Sequence, residues 1–344
     1  MKGLWKYISP FAPDQSGVCS VLYDLGGIIV ICDAGGCAGN VCGFDEPRWF
    51  GKKSAIFSAG LRDMDAILGR DDKLIEKLCM AADEIDATFA AIVGTPVPAV
   101  IGTDYRALRR MAEKKLDLPI VAIDSTGMSH YDKGVEKAYL ALFQTFAREA
   151  AQPDAGTIGV IGATPLDMTC LDGADRLGQV LSDRWSRVLV YGLGGLDVIR
   201  QAPSAARNLV ISPAGLKSAQ YLEKKFGTPY DVAYPVQLHG EVFDYASFQH
   251  KKVLIVHQQV LANSLRQEIT SHAEAHVTVA TWFMLQEELQ QPGDVALFEE
   301  DQFIELADGP AFDIIIGDPL FRKALKHFTG QYIDLPHFAV SGRM

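Results

Sequence analysis

The chain has 344 residues, 48% of them hydrophobic and 22% charged, enough apolar material for two or three compact units. Its 43 acidic residues outnumber 32 basic ones, for a net charge of −11. That balance argues against a nucleic-acid or anionic-membrane binder, which needs a basic face, and leaves room for a basic partner or a cationic cofactor. The start, MKGLWKYISPFAPDQSG, lacks the apolar core and small-residue cleavage site of a secretory signal. No run reaches the roughly 20 apolar residues of a membrane span. A cytoplasmic location is therefore expected, with the six cysteines as thiols or metal ligands rather than disulfides.

In chain order, short β-branched runs alternate with helical patterns. The runs are GIIVICD (27–33), SAIFSAG (54–60), FAAIVGT (89–95), PIVAID (119–124), TIGVIGA (157–163), RVLVYG (187–192), NLVIS (208–212), KVLIVH (252–257), HVTVAT (276–281) and FDIIIGD (312–318). Continuous apolar runs of this kind suit parallel strands covered on both faces. Between them, DDKLIEKLCMAADEI (71–85) spaces Leu74, Ile75, Leu78, Ala82 and Ile85 as one helical stripe. LKSAQYLEKKFG (216–227) predicts a second helix, ended by two lysines and Gly227. The alternation predicts an α/β chain with Rossmann-like sheets. Ten strands exceed one comfortable sheet, so boundaries are expected near 147–156 and 234–250. They give units at 1–150, 151–245 and 246–344.

The stretch CDAGGCAGNVCG (32–43) carries most of the chemistry. It follows a strand directly, where parallel α/β sheets bind ligands. Cys32, Cys37 and Cys42 fall five residues apart, among glycines that let backbone approach a bulky group. Cys19 lies eighteen residues before Cys37. Thiols with Gly35, Gly36 and Gly39 between them suggest a soft metal or an iron–sulfur cluster, held by thiolates and backbone N–H groups. Neither a C-x-x-C nor a ferredoxin spacing is present, so buried cysteines that pack as small hydrophobes are the competing reading.

The layout resembles nitrogenase component 1 and its relatives, the protochlorophyllide and chlorophyllide reductases and the nickel-sirohydrochlorin diamide reductive cyclase. In that family a first cluster cysteine opens a helix, and a strand leads to a loop of the form His-Gly-Pro-x-Gly-Cys. Cys19 matches the first cysteine and DAGGC (33–37) matches the loop, with Cys37 as the second ligand. FSAGLRDMDAILGRDDKLIEKL (57–78), FAAIVGTPVPAVIGTDYRAL (89–108) with its Ile-Gly-x-Asp, NLVISPAGLKSAQYLEKKFGTPYDVAYPV (208–236), KKVLIVH (251–257) and FDIIIGDP (312–319) resemble later family segments in the same order. Pro96 stands where a third cluster cysteine is common, and Cys32 or Asp33 stands in place of the loop histidine. The resemblance implies three Rossmann-like units around a central cleft. It implies a homodimer with an iron–sulfur cluster, 4Fe-4S or larger, bridging two subunits through Cys19 and Cys37 of each, with Cys42 as an alternative third ligand. It also implies an oxidoreductase of anaerobic metabolism. A separate ATP-dependent iron–sulfur reductase would supply low-potential electrons, and the substrate in the cleft would be a small molecule or a tetrapyrrole. The alternative is a non-catalytic scaffold or carrier for a cluster or metallocofactor.

Other positions are weaker. Cys79 falls on the apolar side of its helix and reads as core. Cys170 follows a strand where a middle unit would face the cleft, and His130 follows a strand end and a glycine; both are candidates for cleft chemistry. His272 and His276 are four apart, but the second starts a strand, which disfavours a shared helix face. GVIGATPLDM (159–168) and GLGGLD (192–197) lack the full dinucleotide pattern and read as tight turns.

Overall fold

The computed structural model describes residues 5–52, 54–148, 152–239 and 243–344. Thirteen strands form three sheets among these residues, and every pairing within the sheets is parallel. The first sheet contains β1 (Ile28–Ile31), β2 (Ala55–Ser58), β3 (Ala90–Val93) and β4 (Ile120–Ile123), in the order β2-β1-β3-β4. The second contains β5 (Asp154–Ile161), β6 (Arg187–Val190), β7 (Ala205–Val210) and β8 (Tyr230–Val232), in the order β6-β5-β7-β8. The third contains β9 (Lys252–Val256), β10 (His276–Thr281), β11 (Val295–Ala296), β12 (Ile314–Gly317) and β13 (Gln331–Asp334), in the order β11-β10-β9-β12-β13. The expected boundary stretches include residues 149–151 and 240–242, which lie outside the described residues. No helix is long and apolar enough to cross a membrane among the described residues.

All ten expected strands are present. β8, β11 and β13 were not expected, and each is a short, partly exposed edge strand. An edge strand is covered on fewer sides, so its residues need not form the apolar run that marks a central strand. β1, β3 and β12 are buried along their whole length. Each fully buried Ile, Val or Leu there contributes on the order of 1.5–3 kcal/mol. The helix Leu216–Phe226 ends as expected, with Gly227 in the left-handed region at φ 75°.

One helix organises the molecule. Tyr131–Phe146 crosses the helix Asp14–Leu22 with no side chain between the backbones. A Cβ on Gly17 would lie 1.9 Å from the Tyr131 carbonyl oxygen, and one on Gly134 would lie 1.8 Å from the Asp14 carbonyl oxygen. Only glycine permits that approach. The same helix reaches the second sheet. Its Tyr139 hydroxyl lies 2.8 Å from the Ala163 carbonyl and 2.6 Å from that of Tyr191, and Glu136 pairs with Lys217 at 2.8 Å. It reaches the third sheet through Asp132, whose carboxylate accepts the Met284 N–H at 2.6 Å. The N-terminal segment crosses over as well. The N–H groups of Lys6, Tyr7 and Ile8 all donate to the buried Glu300 carboxylate, and Trp5 packs on Trp282.

Candidate functional site

Because the strands of the first sheet are parallel, the loops after β1, β3 and β4 share one rim. The loop after β1 is built on Asp33. Its buried carboxylate accepts the Ser58 hydroxyl at 2.5 Å and the Ala38 N–H at 2.8 Å, which holds the turn that presents Cys37. Gly35 sits at φ 120°, a conformation that L side chains rarely adopt. The short helix Gly36–Asn40 then carries Cys37, and a π-helical turn, Val41–Asp45, carries Cys42. Asp45 ties that turn to the helix Asp14–Leu22 by accepting the Ser16 hydroxyl at 2.7 Å, and it also accepts from the Asn40 side-chain amide at 3.1 Å. Cys19 lies inside that helix rather than at its start, because the helix begins five residues earlier at Asp14.

Cys19 is completely buried, while Cys37 and Cys42 are half-buried. Cys19 and Cys37 pack into the same core, and Cys19 lies within electrostatic reach of Cys42 and Asp33. Cys32 turns the other way. Its thiol belongs to the core on the opposite face of the sheet, with Ala59, Leu74, Ile75 and Leu78, and burial pushes it up to about 12. Cys79 packs against that same core, as its place on the helical stripe predicts.

The electrostatics around Cys19 are one-sided. Burial pushes its thiol well up, and Glu46, Cys42, Asp45 and Asp33 push in the same direction. Burial also raises Cys37 and Cys42. Asp33 adds to the first and Glu46 to the second, while a hydrogen bond with Thr95 partly offsets the shift at Cys37. These shifts favour the protonated thiol at all three positions. The nearby Arg48 is occupied by Glu46, at 2.6 and 2.8 Å, and by the Ser20 carbonyl at 2.6 Å. No group of three or more His, Cys, Asp or Glu residues is placed to hold a metal ion among the described residues.

The rim is open. A Cβ added at Gly35, Gly36, Gly39 or Gly43 would meet nothing within 4 Å. Around it, Phe44 and Phe50 are 74% and 89% exposed, and Val97, Val100 and Met128 on the neighbouring loops are exposed too. Exposed apolar side chains on neighbouring loops are a mark of interaction surfaces.

The structure separates the weaker candidates. His130 immediately precedes the helix Tyr131–Phe146, with its ring 5.6 Å from both Phe11 and Phe283, and burial pushes it toward neutrality. Cys170 lines a cavity of about 230 Å³. His272 ends a helix and His276 begins β10, so they share no helix face. A buried group that the sequence reading did not single out lies where the three sheets meet. The Tyr131 hydroxyl donates to Asp167, and His337 Nε2 lies 3.0 Å from that hydroxyl and 3.1 Å from Asp167 Oδ1. These residues are 36 and 170 positions apart, so no local motif announces them.

The similarity to known proteins follows the fold. The model of the family "nitrogenase component 1 type oxidoreductase" matches residues 28–240, more than half of the chain. The curated relatives include nitrogenase iron-molybdenum cofactor biosynthesis protein NifE of Clostridium pasteurianum, 26% identical over 176 residues, and NifE of Mesorhizobium japonicum, 28% identical over 185 residues. These matches cover 51% of this chain but only 38% and 36% of the relatives, so the matched region spans little more than a third of their length. Among solved structures, nitrogenase Cp1 at pH 6.5 superposes with a TM-score of 0.73 at 11% identity, covering 98% of this chain and 87% of that one. Nitrogenase Cp1 at pH 5 gives 0.71 at 13% identity, covering 100% and 86%. With three parallel sheets in the same arrangement and a family match across the first two, the chain belongs to the nitrogenase component 1 type oxidoreductase family.

Proposed function

We propose that two copies of this chain pair across the apolar rim of the first sheet and together hold one iron–sulfur cluster. Cys19 and Cys37 of each copy would be the ligands, with Cys42 as a further donor. The observation that carries this reading is the grouping of the thiols: Cys19 and Cys37 pack into one core, and Cys37 and Cys42 sit half-buried beside open glycine positions. Two thiolates from each copy supply the four that a cubane takes. When bound, the cluster would relay single low-potential electrons supplied by a separate ATP-dependent iron–sulfur reductase. The chain's own residues do the rest. Asp33 and Asp45 fix the loops that carry the thiols, the glycines leave room beside them, and Phe44 and Phe50 exclude water once the partner is seated. Reduction of a small molecule or tetrapyrrole in the cleft is the function this arrangement supports best.

A second reading, a scaffold that holds a cluster or metallocofactor for delivery, is favoured by the relatives named as cofactor biosynthesis proteins. Anaerobic purification followed by iron and sulfide analysis tests the ligand set. About four irons per dimer are expected, dropping strongly in Cys37→Ser and unchanged in Cys79→Ser. Full iron in the first variant refutes the assignment. Rapid reoxidation of the reduced protein by substrate separates catalysis from a scaffold, which instead transfers its iron to an acceptor apoprotein.

A further inference from the structure

The helix Tyr105–Glu113 carries a charge pattern opposite to that of the chain as a whole. Residues 105–115 hold five basic side chains, Arg106, Arg109, Arg110, Lys114 and Lys115, against the single acid Glu113, in a chain of net charge −11. All five are exposed. Leu108 and Ala112 bury the other side of the helix in the core that contains Cys32, on the face of the first sheet away from Cys19. The helix joins the parallel strands β3 and β4, so it runs back from the cysteine rim along the flank of the first unit.

The fold does not account for these cations. Surface arginines elsewhere hold carboxylates, as Arg176 holds Asp172, Arg207 holds Asp231 and Arg322 holds Asp334. On this helix Arg109 is paired, to Glu113 one turn on at 2.7 Å. Arg106, Arg110, Lys114 and Lys115 form no ion pair among the described residues. Arg106 lies in the first turn, at the positive end of the helix dipole, and Arg110 follows it one turn on as a like charge. Both placements weaken an isolated helix, so helix stability gives no reason for Arg106.

The cations border a groove. A space of about 590 Å³ opens beside the start of this helix, lined by Arg106 and Arg109 from the helix and by Ala122 from the edge strand β4. The two acids that also line it are already engaged. Asp104 caps the helix by accepting the Arg106 and Ala107 N–H groups at 2.9 and 3.0 Å, and Asp124 pairs with Lys137 at 2.9 Å. The guanidinium of Arg106 is therefore the uncompensated charge of the groove.

We propose that this groove and the basic flank beside it dock an acidic segment of a separate protein. Arg106 and Arg109 would take its carboxylates in the groove, and Arg110, Lys114 and Lys115 would take those that follow along the helix. The basic stripe is about 14 Å long, on a surface that is otherwise acidic. A membrane or a long nucleic acid would extend past it onto repelling charge, whereas a short acidic segment matches both its length and the groove. The proposal does not use the thiols.

Fluorescently labelled poly-L-glutamate tests this on the full chain, with anisotropy reading binding. Saturable binding is expected, and it should weaken steeply as salt is raised. Arg106→Glu should weaken it about tenfold. The same variant should melt no lower than the unaltered protein, because glutamate suits the first turn and pairs with Arg110. Lys224→Glu with Lys225→Glu, at the exposed end of another helix, should leave binding unchanged, and so should Cys37→Ser. Absent saturable binding, or an equal loss in the Lys224 and Lys225 variant, overturns the docking site. A lower melting temperature for Arg106→Glu makes that residue structural and overturns its role. Tighter binding to phosphatidylserine vesicles or to single-stranded RNA than to poly-L-glutamate overturns the acidic protein as the partner.

Discussion

Gly134→Ala isolates the contact between the Cys19 helix and the helix that bears Tyr131. The added Cβ would lie 1.8 Å from the Asp14 carbonyl oxygen and 3.0 Å from the Val18 N, against backbone that cannot swing aside as a side chain would. To reach a tolerable separation, the helices Asp14–Leu22 and Tyr131–Phe146 must part by about 1 Å or more. Overpacking of this kind costs roughly 1–3 kcal/mol, and a clash with backbone belongs at the upper end. Alanine returns up to about 1 kcal/mol of helix propensity, so a net loss of about 2 kcal/mol is expected. With a denaturant slope of about 3 kcal/mol/M, the urea midpoint falls by roughly 0.7 M. Intrinsic fluorescence and circular dichroism should report the same shift. An unchanged midpoint would show that the helices are free to separate and would refute the close crossing. Iron content provides a second readout, because Cys19 rides on the displaced helix while no thiol is removed.

Three further outcomes are expected. A Cβ at Gly36 meets nothing within 4 Å, so in Gly36→Val the iron-free protein should keep its stability to about 0.5 kcal/mol while reconstituted iron falls; full iron content would argue against close packing of a cluster on the loop. Arg48→Ala leaves the buried Glu46 carboxylate without its ion pair and should lower stability by about 3–5 kcal/mol, read from chemical denaturation. Asp132 is raised from 3.8 to about 6, chiefly by burial. Such a carboxyl adds stability that is full below pH 3.8 and lost as pH rises through about 6, on the order of 3 kcal/mol. Relative to Asp132→Asn, the unaltered protein should lose that amount across the window, and parallel stability curves for the two would contradict it.

The fold was legible because the central strands β1, β3 and β12 are buried along their whole length. Runs such as IIVI and IIIG carry no polar residue and lie inside their sheets. The strands that escaped notice, β8, β11 and β13, lie at sheet edges, where YDV and QYID keep polar residues that nothing excludes. The cysteine loop was legible for a different reason. A thiol-rich, glycine-rich turn after an apolar strand is local in sequence, so its chemistry can be read without knowing the tertiary fold. Spacing could not say which thiol faces which side. Cys32 lies one residue before Asp33, yet it faces the opposite core, and alternation along the strand was the only hint. The Tyr131–Asp167–His337 group carried no signal at all, because each member comes from a different sheet connection and only packing brings them together.

The physical link between the thiols and the buried Tyr131–Asp167–His337 group is the helix crossing, not proximity in sequence. Cys19 lies two residues beyond Gly17, whose missing side chain makes room for the Tyr131 carbonyl. Tyr131 turns its ring away from that contact, into the group with Asp167 and His337. Asp14, at the start of the Cys19 helix, accepts the Thr126 and Gly127 N–H groups of the loop after β4 at 2.8 and 2.6 Å, so the helix is fixed at that end as well. Packed backbone with no side chain between has little capacity to absorb strain. The Cys19 helix therefore meets the Tyr131 backbone directly, with no side chain between to cushion the contact. The glycine pair gives this family member a short, stiff connection between its thiols and its buried polar centre.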